Sequence, residues 1–496
     1  MPGTPDSPLR VAIVGSGPAG FYAADHLLRR EGVAVEVDML DRLPTPFGLV
    51  RGGVAPDHPK IKSVIRVYEK TAARDGYRFF GNVQLGRDVS SAELAERYHA
   101  VIYAYGAETD RHLGIPGEDL PGSGPATAFV GWYNAHPDYA HLEFDLSCER
   151  AIVIGNGNVA ADVTRMLALT RDELAVTDTA DHAIDPLAGC AIKEIVVLGR
   201  RGPVQAAFTN PELRELGEMV DADIHVDPAE LELDELSRSY LESEAGITAR
   251  KNVEILNEFA RKEPEGKPRR IVLRFLASPI EIQGDGRVER VVVGRNELHR
   301  DETGALRARD TGERETIEAG LVLRSIGYKG VPVDGIPFDD RRGVIPNEAG
   351  RVVARDRGGH MPGQYVVGWI KRGPSGVIGT NKKDAQDTVD SLFEDLEAGR
   401  VPEPAGPGRD SIHALVTERR PDHVTYQGWQ AIDRAEVERG KPLGRPRVKF
   451  CRIDEMVEVA SREADAREGA AERRRAGLSE RIESAAWRST WTRCAR

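Results

Sequence analysis

Residues 11–14 (VAIV) form an unbroken apolar run. It stops at Gly15-Ser-Gly17-Pro-Ala-Gly20 and resumes with helical spacing in FYAADHLL. A strand, a glycine turn and an amphipathic helix are predicted. Residues 151–154 (AIVI) repeat the pattern and lead into Gly155-Asn-Gly157-Asn-Val-Ala160 and a second helix. A further apolar run completes each unit, VAVEVDML after the first helix and IVVL (195–198) after the second. Strand, turn, helix and strand, met twice, predict an α/β fold class with two Rossmann-like dinucleotide-binding domains.

The glycine spacing carries the chemistry. In the first turn Gly15 permits a tight bend and Gly17 lets the backbone approach a pyrophosphate. Gly20 lets helix and strand pack closely, and the helix N-terminus presents free N–H groups to the anion. Asp41 ends the second strand about 20 residues after Gly20, where a carboxylate accepts from a ribose hydroxyl. Asp38, close by, is the competing acid. In the second turn Ala160 stands in the place of the third glycine. The acid at the end of its second strand is missing, and Gly199, Arg200 and Arg201 stand there. A carboxylate suits the bare ribose of NAD, whereas guanidinium groups match the 2′-phosphate of NADP with paired donors.

Two more apolar runs end in glycine, AVIYAYGA (100–107) and LVLRSIGY (321–328). In flavoproteins that bind two dinucleotides, such strands mark where the chain leaves the FAD domain and returns. The expected division is an FAD-binding domain of 8–108 plus 325–450, with an NADP-binding domain of 109–324 inserted. IVLRFL and VERVVVGRNEL suggest an antiparallel layer on the NADP domain. The polar text around 261–270 and 301–315 reads as surface turns and hairpins. Near the end, GWIKRGPSGVIGTNKKDA offers Trp369 as a wall for an isoalloxazine ring and Gly376 as room for a nicotinamide. Residues 453–496 are rich in Ala, Glu and Arg and read as a charged, helical or disordered tail, with Trp487 and Trp491 on one helical face.

Composition narrows the partners. The chain has 496 residues and a formal net charge of −12, which argues against nucleic acid as a main partner. No apolar run reaches spanning length, and MPGTPDSPLR lacks the features of a secretory signal, so a cytoplasmic protein without a membrane span is expected. The four cysteines form no CxxC, which leaves no dithiol and no metal site expected.

The segments VGSGPAGFYAADHLL, LPTPFGLVRGGVAPDHPKIK, GNVQLGRDV, FVGWYNAHP, VIGNGNVAADVTRML, LGRRGPVQAAFTNPELREL, FLASPIEI and GWIKRGPSGVIGTNKKDA resemble the adrenodoxin-reductase-type NADPH–ferredoxin reductases, including the mycobacterial enzymes. The resemblance runs to about residue 450. It implies FAD contacts at Ala19, Asp41, Leu49, Leu85, Trp369 and the turn Gly376, Val377 and Ile378. It implies NADP contacts at Arg111, Asn156, Gly157, Asn158, Val159, Arg200, Arg201, Glu212 and Gly376. His58 and Glu215 are implied to lie beside nicotinamide and flavin as catalytic groups, although a histidine before Pro59 could instead cap a helix. Asp41 stands where the family commonly has glutamate.

The implied activity is hydride transfer from NADPH to FAD and delivery of single electrons to a ferredoxin. An acidic ferredoxin needs a local basic face on this acidic chain. The candidates are Lys60, Lys62, Arg66 and Lys70 on one predicted helix, with Arg214 and the Lys371–Arg372 pair. A disulfide reductase would need the missing CxxC. A non-catalytic, NADPH-sensing flavoprotein is the reading from another class.

Overall fold

A computed structural model describes residues 2–354 and 358–463. Its first sheet has seven strands in the order Asn347–Glu348, Arg351–Val353, His360–Val366, Ala100–Tyr103, Leu9–Val14, Val35–Leu40 and Tyr77–Phe80. The last five run parallel. The second sheet has six parallel strands, in the order Ser123–Pro125, Leu321–Arg324, Arg150–Ile154, Glu194–Gly199, Arg269–Phe275 and Ala222–Val226.

Both sheets are buried on both faces, which is why their strands read as near-continuous apolar runs. Leu9, Val11 and Ile13 face one core with helices Pro18–Leu28 and Thr380–Glu397, while Ala12 and Val14 face another. In the second sheet Ala151 and Val153 face helix Asn158–Ala168, and Ile152 and Ile154 face the opposite side. That opposite side is covered by a three-stranded antiparallel sheet of Ala277–Gln283, Arg290–Arg300 and Leu306–Glu318, through Ala277, Ile282, Val291 and Val293. The chain passes between the large sheets twice. The two passages meet where Thr109–Asp110 pairs antiparallel with Tyr328–Lys329.

One expectation changes and two are refined. IVLRFL (271–276) belongs to the parallel sheet and not to the antiparallel layer, because Ile271, Leu273 and Phe275 are drawn into the helix-covered core. Residues 301–315 form the expected surface hairpin, more strand than turn. A hairpin bend leads into the long edge strand Leu306–Glu318, whose charges pair across the ladder, as in Arg309 with Glu297 (2.7 Å). Charged side chains keep such an edge from pairing with other chains. The supposed tail begins as a helix over 453–463, and Met456 and Ala460, one turn apart, are buried beside Trp429 and Phe47. Trp487 and Trp491 lie outside the described residues.

Candidate functional site

The three glycines of the first turn answer to three different constraints. Gly15 has φ +105°, and a Cβ there would lie 2.6 Å from the Ala104 carbonyl. A Cβ on Gly20 would lie 2.2 Å from the Gly15 carbonyl oxygen, so this glycine sets how closely helix Pro18–Leu28 approaches the strand. A Cβ on Gly17 would meet nothing within 4 Å, because Gly17 faces an open cleft. Asp41 is locked to the turn. Its Oδ2 accepts from the Ser16 N–H (2.9 Å) and Ser16 Oγ (2.5 Å), and its Oδ1 from the Leu43 N–H (2.9 Å). Asp38 is excluded as its rival, being fully buried in ion pairs with Arg78 and Arg409.

The cleft is open to solvent and comprises about 1860 Å³ of empty space with that open region included. Gly15, Gly17, Ala19, Asp41, Leu49, Leu85, Trp369, Val377 and Ile378 all line it. Gly20 sits buried behind the wall. Gly376, at φ +82°, shapes the turn before helix Thr380–Glu397, where a Cβ would strike Thr380 at 2.6 Å. Sequence reasoning missed Arg51, Asn134, Tyr328 and Met456, which also line the cleft. The Tyr328 ring lies 5.2 Å from the Trp369 ring, tilted by 33°. Its signal was its place directly after the glycine that ends LVLRSIG. A cleft lined by the glycine turn at the start of helix Pro18–Leu28 and by the rings of Tyr328 and Trp369 fits FAD.

The second turn uses the same backbone device. Gly155 has φ +134°, and a Cβ there would lie 2.2 Å from the Ser325 carbonyl oxygen. Asn158 opens helix Asn158–Ala168 and spends its Oδ1 on the Thr209 N–H (2.8 Å). The Asn156 carbonyl accepts from the Ala207 N–H (2.8 Å). Gly157 precedes the helix as its cap residue, and Val159 packs partly on the core. Arg111 is exposed, and its N–H donates to the Gly327 carbonyl (3.1 Å).

Arg200 and Arg201 follow strand Glu194–Gly199, and neither has an acidic partner among the described residues. Burial, then Arg200 and Arg307, lower the proton affinity of Arg201. The loop backbone is nevertheless held firmly. Asn296 Nδ2 donates to the Arg200 carbonyl (2.8 Å) and the Leu276 N–H to the Arg201 carbonyl (3.0 Å). Two like charges thus stand side by side on a fixed backbone without an acidic counter-ion among the described residues.

His58 lies where the two halves meet. Its Nε2 is 2.8 Å from Glu215 Oε2, and its Nδ1 is 3.6 Å from Glu212 and 3.9 Å from Asp162. It precedes helix Pro59–Lys62, yet its side chain makes no capping bond, which removes the capping reading. Arg165 donates to Asp57 (2.9 Å), Asp162 (2.8 Å) and Glu212 (2.8 Å). Glu212 therefore faces Arg165 and His58. Burial pushes the Asp162 carboxyl up to about 7, against Arg165 and with help from Glu212. For Asp57 burial acts in the same sense, but Arg165 outweighs it and holds the carboxyl below its ordinary value.

The residues 9–197 match the model of the pyridine nucleotide-disulphide oxidoreductase family. The chain is 54% identical over 456 residues to the NADPH-ferredoxin reductase FprA of Mycobacterium leprae, covering 90% of this chain and 98% of that one. It is 42% identical over 466 residues to the mitochondrial NADPH:adrenodoxin oxidoreductase of Salvelinus fontinalis, covering 92% of each. The solved structure of Mycobacterium tuberculosis FprA in complex with NADPH superposes with a TM-score of 0.85 at 52% identity, over 91% of this chain and 99% of that one. The chain belongs to the adrenodoxin-reductase-type NADPH–ferredoxin reductase family.

Within this family member, His58, Glu212 and Glu215 also bring three ligand-type atoms within 4.8 Å of one another. Arg165 Nη1 already lies 2.8 Å from Glu212 and 3.5 Å from Glu215. The positive charge that a divalent ion would bring is in place.

The expected basic face is smaller than the sequence suggested. Pro59–Lys62 and Ile65–Ala72 are two helices, not one. Lys62 is turned inward, with its Nζ donating to both oxygens of Asp178 (2.6 and 2.9 Å). Lys371 is held by Asp384 (3.0 Å) and Thr388 (2.9 Å), and Arg372 by Asn381 (2.9 Å) and Asp384 (3.3 Å). Lys60, Arg66, Lys70 and Arg214 stay exposed, Arg214 with Glu258 at 3.3 Å.

Proposed function

We infer that this chain is a flavoprotein oxidoreductase that takes a hydride from NADPH onto FAD and passes single electrons to a ferredoxin. The observation that carries this is the presence of two dinucleotide turns whose following strands lead into opposite charge. The strand after one turn leads into Asp41, the strand after the other into Arg200 and Arg201, which have no acidic partner among the described residues, and His58 of the first half touches Glu215 of the second. Bound FAD supplies the redox chemistry, accepting a hydride and releasing its electrons one at a time.

The chain's own residues bind, orient and shield. Asp41 receives the ribose hydroxyls of FAD, and the N-terminus of helix Pro18–Leu28 its pyrophosphate. Trp369 and Tyr328 close the far wall against water. Asn156 to Val159 hold the pyrophosphate of NADPH, and Arg200 and Arg201 its 2′-phosphate. Each charge-assisted hydrogen bond contributes about 1.5–3 kcal/mol before the competition of water is discounted. His58, held by Glu215, presents its ring where nicotinamide and flavin meet. The domain limits we assign are 8–108 with 325–450 for FAD, and 109–324 for NADP.

We also place ferredoxin docking on the exposed cations Lys60, Arg66, Lys70 and Arg214, and the working compartment in the cytoplasm. Cys148, Cys190 and Cys451 are unpaired, and no helix of the described residues is long and apolar enough to cross a membrane. Raising salt should weaken ferredoxin reduction more than reduction of a neutral dye, and equal sensitivity would remove the docking face.

The deciding experiment is stopped-flow reduction of the purified flavoprotein by NADPH and by NADH, followed by mixing with ferredoxins. Rapid flavin bleaching by NADPH and onward electron transfer are expected. Binding of NADPH without bleaching would make the chain a sensor instead.

A further inference from the structure

The segment from Asp57 to Lys62 carries His58 and is poorly held by packing. Helix Pro59–Lys62 has no buried side chain, and Ile61 is 40% exposed. The segment is pinned by charge at both ends instead, and always to the other half of the molecule. At its start Asp57 accepts from Arg165 (2.9 Å) and His58 meets Glu215 (2.8 Å). At its end Lys62 grips both oxygens of Asp178.

Asp178 is itself a built anchor. It is 6% exposed and lies between helices Arg171–Ala175 and Asp181–Ala188. Its Oδ2 also pairs with Lys449 Nζ (3.1 Å). Lys449 is buried and donates to the Asn134 carbonyl (3.2 Å), Asn134 Oδ1 (3.1 Å) and the Arg51 carbonyl (3.3 Å). Arg445 crosses to the same loop, where it donates to the Thr177 carbonyl (3.0 Å), the Thr179 carbonyl and Asp181. Burial raises the Asp178 carboxyl, yet Lys449 and Lys62 outweigh it and hold the group well below the carboxylate range. A buried carboxylate with both oxygens bonded is a stiff point of attachment, because moving either partner away weakens a charge pairing in a low dielectric.

We propose that Lys62 is a positioning residue, whose clamp on Asp178 fixes the far end of the segment and so registers His58 against Glu215 for hydride delivery. The proposal rests on the reading of His58 given above. Lys62 touches no reacting atom. It acts by denying the four-residue helix the freedom to slide, and a misplacement of about 1 Å at a catalytic group costs up to about a hundredfold in rate.

The test uses the FAD-loaded, full-length enzyme. Lys62→Met leaves Asp178 paired with Lys449, so the buried carboxylate keeps a partner and the fold survives. Expected results are a limiting rate of flavin reduction about tenfold lower, with the KM for NADPH within about twofold. Amide hydrogen exchange over residues 55–64, without NADPH, should quicken about tenfold. Lys62→Arg should restore both, and Lys193→Met, a distant surface control, should change neither. Unchanged exchange or an unchanged limiting rate in Lys62→Met overturns the clamp. His58→Gln separates the two ideas. If it slows reduction and Lys62→Met does not, the clamp falls and the reading of His58 stands. If His58→Gln leaves the rate unchanged, the reading of His58 falls and the positioning role with it.

Discussion

In the first glycine turn a Cβ on the third position, Gly20, would lie 2.2 Å from the Gly15 carbonyl oxygen. In the second turn that position is Ala160, fully buried and accommodated. The remaining geometry is shared: a positive φ at Gly15 and Gly155, a strand before and a helix after. The ends of the following strands differ in sign. Asp41 is satisfied by its own turn, through Ser16 and Leu43, before any ligand arrives. Arg200 and Arg201 are satisfied by nothing acidic among the described residues, while Asn296 and Leu276 hold their carbonyls in place. One backbone device thus serves two cofactors. The carboxylate is preorganised by hydrogen bonds, and the arginine pair is left as the field that we propose a phosphate completes.

Reversing the charged end should have the largest effect. Replacing both Arg200 and Arg201 with Ala should lower kcat/KM for NADPH about a hundred- to a thousandfold and leave that for NADH nearly unchanged. Steady-state assays with both nucleotides decide it. An equal fall for both would mean that the pair only shapes the loop.

The next effect separates the glycines of the first turn. Gly15→Ala should destabilise the apoprotein by about 2–3 kcal/mol, because φ +105° and the Ala104 backbone both oppose a side chain. Gly17→Ala should leave apoprotein melting unchanged and weaken FAD retention, since its methyl enters only the cleft. Equal melting losses would show that Gly17 is structural after all.

The smallest effect lies where the two folds meet. The Asp162 carboxyl sits at about 7 in the fold against 3.8 ordinarily, so the folded chain holds its proton better than the unfolded one. The stabilisation is complete below the unfolded value and is lost as pH rises through about 7. Asp162→Asn should flatten the decline in melting temperature between pH 5 and pH 8. An unchanged slope would place Asp162's proton elsewhere.

Local sequence carried both dinucleotide turns, because backbone sterics at glycine and the two periodicities of burial act over a few residues. It also carried the contrast between Asp41 and Arg200–Arg201, since each stands at the end of a short apolar run. It misplaced IVLRFL in the antiparallel layer and missed the burial of Met456 and Ala460, because both depend on what packs against them. Met456 and Ala460 are buried only because Trp429 and Phe47 arrive from elsewhere in the chain. Charge was read less well than apolar pattern. Lys62, Lys371 and Arg372 looked like free surface cations, yet Lys62 is bound to Asp178, 116 positions away, and Lys371 and Arg372 to Asp384 on the helix that follows their turn. Whether a charge is free is a tertiary fact, because its partner comes from another part of the chain. The meeting of His58 with Glu215 across 157 positions is of the same kind. The sequence by itself determined which backbone turns exist and what chemistry each can hold. Only the tertiary structure decided which ions face each other, since that follows from how two sheets and their connecting strands close on one another.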